Sequence, residues 1–155
     1  MNIVSLAVRT HILIDSPVED VWQAILDFPK RAPTVNQVEL LSGEWDKQGR
    51  VLLITKKEEV GMDPFILEAI VMEPCKWLVH KIDTKEKEKP GEKDMVSAYN
   101  DFTLSVEASG ETNVVFSRYQ SYNADALPLT TQEESIKSMQ ENYLKPLKLG
   151  LEEGL

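Results

Sequence analysis

HILIDSPVEDVWQAILDF, residues 11–28, decides the fold. Its first four residues close an alternating run, IVSLAVRTHILI (3–14). In that run Val4, Leu6, Val8, Ile12 and Ile14 share one face with Thr10, and Arg9 and His11 fall on the other, the pattern of a half-buried strand. DSPVED then punctuates the chain. Ser16 suits the N-cap, Pro17 the first helical position, and Glu19 the far corner of a capping box. Val18, Val21, Trp22, Ile25 and Leu26 recur at i, i+3, i+4, i+7 and i+8, so the helix has one apolar stripe to lay on a sheet. Asp27-Phe28-Pro29 is expected to end it, and PKRAPTV has room for a further short turn of helix before Pro33.

Working outward, six more strands follow. VELLS (38–42) and RVLLITKK (50–57) flank the turn GEWDKQG. FILEAIVM (65–72) and KWLVHKID (76–83) flank Glu73-Pro74-Cys75. KEKEKPGEKD (85–94) reads as a charged hairpin tip with a Pro-Gly turn. VSAYNDFTLSVE (96–107) and TNVVFSRYQSY (112–122) flank Ser109-Gly110. A long helix ends the order, with Ile136, Met139, Tyr143, Leu147 and Leu151 at helical spacing. Thr130 or Thr131 is the expected cap, and Pro146 is expected to kink or break the helix. Strand, helix, six strands, long helix is an α+β order: a curved antiparallel sheet with helices on one face, in one domain over 1–155.

Composition narrows the function. Seventeen basic and 26 acidic side chains leave a net charge of −9, which repels a phosphate backbone and argues against a nucleic-acid partner. A single cysteine, Cys75, excludes an internal disulfide framework and a cysteine-rich zinc site, and fits a reducing, cytoplasmic setting. No apolar run reaches the ~20 residues that cross a bilayer. Nucleophile elbows, Walker loops, HExxH and dinucleotide fingerprints are all absent, so no motif asks for a cofactor. His11 and His80 fall on opposite faces of the sheet, which speaks against a metal site.

Strand register then raises one question. If Ser109-Gly110-Glu111 is the loop, Ala108 pairs with Thr112, Val106 with Val114, Leu104 with Phe116, Phe102 with Arg118, and Asn100 with Gln120. A two-residue loop at Pro74-Cys75 pairs Val71 with Leu78, Ala69 with His80, and Leu67 with Ile82. Four polar side chains, His80, Asn100, Arg118 and Gln120, thus share the concave face with Phe102 and Phe116. A guanidinium stays charged and needs acceptors there. Arg118 either snorkels to solvent at the strand's end, or is answered by a carboxylate of the last helix or by water at a cavity mouth, or anchors an acidic or phenolic ligand. His80 is either a hydrogen-bonded core histidine, with space left beside it by the small Ala69, or a proton shuttle near neutral pH.

Four segments carry a family resemblance: residues 11–28, EPCKWLVHKI (73–82), ASGETNVVFS (108–117) and LKPLKLGLEE (144–153). The chain resembles the START-like superfamily, also called SRPBCC, which includes polyketide cyclases, the birch pollen allergen family and lipid-transfer domains. The resemblance implies a helix-grip fold: a seven-stranded antiparallel sheet wrapped around the C-terminal helix, with a cavity between them for a small hydrophobic molecule. Phe28, Met139 and Tyr143 are then either plain helix-core residues or part of that cavity's lining. Three functions follow. One is a carrier or sensor of a hydrophobic molecule. Another is a cofactor-free cyclase, dehydratase or isomerase, with His80, Arg118 and Tyr143 as its acid–base and enolate-stabilising groups. The third is a protein-interaction module. Oligomeric state stays open between monomer and dimer.

Overall fold

The computed structural model describes residues 3–84, 95–123 and 129–154. Its elements are β1 (Ile3–Ile14), α1 (Val18–Arg31), β2 (Val35–Ser42), β3 (Val51–Lys56), β4 (Phe65–Glu73), β5 (Trp77–Thr84), β6 (Met95–Val106), β7 (Thr112–Asn123) and α2 (Leu129–Glu153), with one 3₁₀ turn at Glu58–Val60. The strands form one seven-stranded antiparallel sheet in the order β1-β7-β6-β5-β4-β3-β2. Only one β1–β7 pairing is non-local; every other neighbour is a hairpin partner. α1 and α2 cover the concave face, where Val21, Ile25, Leu144 and Leu147 join Phe102 and Phe116 in one buried cluster. This is the helix-grip arrangement. Among the described residues, no helix is long and apolar enough to cross a membrane.

The apolar stripe of α1 is buried as its spacing requires, at Val21, Trp22, Ile25 and Leu26. Its ends differ from expectation. Pro17 occupies the cap position with no side-chain hydrogen bond, and the carbonyl of Ser16 accepts from Thr112 Oγ1 at 2.8 Å instead. The helix also runs through Phe28-Pro29 to Arg31, absorbing the turn expected after it. A proline there removes one backbone bond close to a terminus that is already losing them. α2 likewise continues through Pro146 and already includes Thr130 and Thr131. Pro146 and Asn142 are exposed, so water can take the Asn142 carbonyl that loses its N–H partner. The charged stretch 85–94 lies outside the described residues.

Two registers are corrected. The β6–β7 loop spans Glu107 to Glu111, closed by Glu107 N–H to Glu111 O at 2.8 Å, so Val106 pairs with Thr112 and Phe102 with Phe116. Arg118 therefore faces Asn100, and Gln120 faces Ala98. A shift of two residues leaves every side chain on its expected face. In β4–β5, Ala69–His80 and Leu67–Ile82 pair as expected, but Val71 meets Val79 and Met72 meets Leu78. Cys75 takes a left-handed φ of 64° in a longer turn, and a bulge at Ile70 absorbs the extra residue.

Candidate functional site

The register sorts the concave face into transverse rows. One row is polar: Arg118 on β7 pairs with Asn100 on β6, Asn100 with His80 on β5, and His80 with Ala69 on β4. The row then reaches Arg50. Ala69 N–H donates to Arg50 O at 2.9 Å and Gly49 N–H to Ala69 O at 2.9 Å, with Gly49 at φ +93°. This is a glycine-led bulge, and it sets Arg50 opposite Ala69. The flanking row is aromatic and aliphatic: Phe116 pairs with Phe102, Phe102 with Leu78, and Leu78 with Met72.

Above that floor Tyr143 descends from α2. Its ring lies 5.1 Å from Phe102, 5.3 Å from Phe116 and 3.9 Å from Phe28 of α1, centroid to centroid. Phe102 and Phe116 stack at 4.3 Å. Met139, half-buried, packs against the same cluster one helical turn earlier. Burial pushes the Tyr143 phenol up, with the Arg50 charge opposing, so it stays protonated.

Arg50 is fully buried. It donates through Nη1 to the carbonyls of Leu26 (3.1 Å) and Trp45 (3.0 Å), and its Nη2 lies 3.1 Å from His80 Nε2. Its guanidinium carbon sits 4.5 Å from the Trp45 ring centroid, and Trp45 Nε1 donates to Asp27 Oδ1 at 2.8 Å. One cation therefore ties the C-terminal end of α1 to the β2–β3 turn and to β5. Burial lowers its pKa to about 10, with the Asp27 charge opposing, so the guanidinium remains charged at neutral pH. This residue is absent from the sequence-derived site. The signal was present: Arg50, Leu52 and Ile54 alternate on one face, as Arg118 does with Val114 and Phe116.

His80 is 4% exposed, and burial together with the Arg50 charge lowers its pKa to about 3. It is a neutral ring at physiological pH, an environment that opposes proton uptake. Arg118 donates through Nη1 to Asn100 Oδ1 at 3.0 Å, and its buried Nε has no partner. Burial lowers its pKa to about 10, with Tyr122 opposing. It is only partly exposed and turned toward Asn100. Among the described residues no carboxylate forms an ion pair with it; the pairs there are Lys145–Glu141 and Lys148–Glu152. Gln120 Nε2 donates to Tyr122 Oη, which donates onward to Gln132 Oε1 of α2 at 3.4 Å.

The sequence-derived residues thus gather into two contacting groups, aromatic (Phe28, Phe102, Phe116, Met139, Tyr143) and polar (His80, Asn100, Arg118, with Ala69 beside them). Gln120 stands one row away, and His11 is exposed. Outside the sheet–helix interior, a groove of about 470 Å³ runs between β1 and α2 past Arg9, His11, Lys137 and Lys145.

No family model matches the chain, and no curated protein does. Solved structures match it closely in shape. The crystal structure of Ara h 8.0201 aligns over 94% of this chain and 96% of that one, at 15% identity and a TM-score of 0.71. A structure of a protein from Nitrosospira multiformis aligns over 94% and 96%, at 18% identity and a TM-score of 0.69. At such identities the likeness is one of fold, the helix-grip fold of Bet v 1-like proteins.

Proposed function

We propose that this chain holds a small hydrophobic molecule between the sheet and α2, with Arg118 anchoring an acidic or phenolic group on that molecule. The observation that carries the reading is Arg118 itself. It is an inward cation answered by one neutral amide, with a buried Nε left open. A guanidinium in low dielectric calls for an anion. Phe28, Phe102, Phe116, Met139 and Tyr143 supply the apolar wall against which rings or chains pack. The catalytic alternative, cyclisation or dehydration of a polyketide-like or aromatic substrate, relies on His80 trading protons near neutrality. A pKa of about 3 favours binding over that chemistry.

The test is displacement of a fluorescent anilinonaphthalene dye by aryl carboxylates from the wild-type protein and from Arg118→Met. Loss of a charge-assisted pair should weaken the carboxylates by about tenfold or more while circular dichroism stays unchanged. Equal affinity in both proteins would remove Arg118 from the site.

A further inference from the structure

We infer that the row Arg118–Asn100–His80 presents hydrogen-bond donors alone to the interior, and so selects a ligand whose polar end carries only acceptors, a carboxylate above all. The inference rests on the interior being the ligand site. Its content is the polarity of that site, which neutral amide and imidazole groups would otherwise leave undecided.

The polarity follows from the two arginines at the ends of the row. A guanidinium has donors and no acceptor. The Asn100 atom 3.0 Å from Arg118 Nη1 must therefore be the carbonyl oxygen, which leaves the Asn100 amide N–H groups free. By the same reasoning His80 Nε2, 3.1 Å from Arg50 Nη2, must hold its lone pair toward that donor. The neutral ring then keeps its proton on Nδ1. Each arginine occupies the acceptor of its uncharged neighbour.

What remains are three kinds of donor: Arg118 Nε–H, Asn100 Nδ2–H and His80 Nδ1–H. Arg118 Nε is buried with no hydrogen-bond partner, and the arginine bonds to Asn100 and His80 engage only their acceptor atoms. They stem from three adjacent strands, β7, β6 and β5, whose backbones lie about 4.8 Å apart. Ala69, the next position in the row, has no polar side chain to interrupt them. An acceptor-only head group answers such donors without bringing a competing proton. An alcohol brings one proton too many, and an ammonium group meets donors and positive charge alone.

The test uses four naphthalenes that differ at one position: 2-naphthoate, 2-naphthylmethanol, 2-naphthylmethylammonium and 2-methylnaphthalene as the ring-only control. Calorimetry should find 2-naphthoate tighter than the alcohol by about tenfold or more, and the ammonium no tighter than the control. Asn100→Asp, shown folded by its melting curve, places an acceptor carboxylate against Arg118. It should weaken 2-naphthoate by about tenfold and leave 2-methylnaphthalene unchanged. If all four bind the wild type within about threefold of one another, the donor row is overturned while the hydrophobic site stands. If none of the four binds, the ligand-site reading fails and the inference with it.

Discussion

Acidification should destabilise this protein through His80, by an amount that can be worked out in advance. The ring's pKa is about 3 in the folded protein and about 6.5 in an unfolded chain. Between those values the unfolded state holds the proton and the folded state does not. Stability therefore rises with pH across that window and is lost as the pH falls through it. From about pH 7.5 to pH 5 the loss is about 2 kcal/mol, and by pH 3 it is about 4 kcal/mol. The chain carries a net charge of −9, so acid also relieves carboxylate repulsion, an effect of opposite sign. The comparison that isolates the ring is His80→Gln, which retains an acceptor for Arg50 and does not titrate. Urea unfolding of both proteins at several pH values supplies the assay. The free-energy difference between them should move by about 2 kcal/mol in favour of the variant between about pH 7.5 and pH 5. Parallel pH profiles would refute the reasoning, since they would mean that the ring is as easily protonated in the fold as outside it.

Other substitutions test the scaffold behind the polar row. Arg50→Met removes three hydrogen bonds from a charged donor, worth about 1.5–3 kcal/mol each. It also relieves the burial that lowers the pKa to about 10, which amounts to about 3 kcal/mol. The bonds win, so chemical denaturation should show a net loss of about 1.5–6 kcal/mol; a neutral result would mean that desolvation cancels them. Gly49→Ala meets no atom within 4 Å of the added carbon, so its cost comes from the backbone at φ +93° alone. Thermal and urea unfolding should report a loss of about 1–2 kcal/mol; an unchanged midpoint would show that the bulge relaxes.

Much of the fold was legible because burial periodicity survives small errors. The α1 stripe needs only the spacing of Val21, Trp22, Ile25 and Leu26. In the last hairpin the true loop is two residues longer than Ser109-Gly110-Glu111, yet a two-residue shift conserves face, so Arg118, Asn100 and Gln120 still point inward. What changed was each partner: Arg118 meets Asn100 where Phe102 was expected, and that contact sets the polarity of the row. The bulge at Ile70 was hidden because Cys75 adopts a left-handed backbone without being glycine. Arg50 was hidden for a different reason. A charged residue leading a strand after a glycine reads as a solvated strand end, although its alternation with Leu52 and Ile54 already turns it inward. Burial first and the Arg50 charge second hold His80 neutral, and Arg50 fixes which ring nitrogen keeps the proton, so missing one residue also missed part of the chemistry of the other.

A ligand held as proposed enters the interior rather than the outer surface. Titrating ¹⁵N-labelled protein with 2-naphthoate while recording backbone and arginine side-chain resonances tests it most directly. A ligand in the interior shifts Phe28, Phe102, Phe116 and Tyr143 together with the Arg118 Nε–H. Shifts confined to Arg9, His11, Lys137 and Lys145, which line the outer groove between β1 and α2, would contradict it.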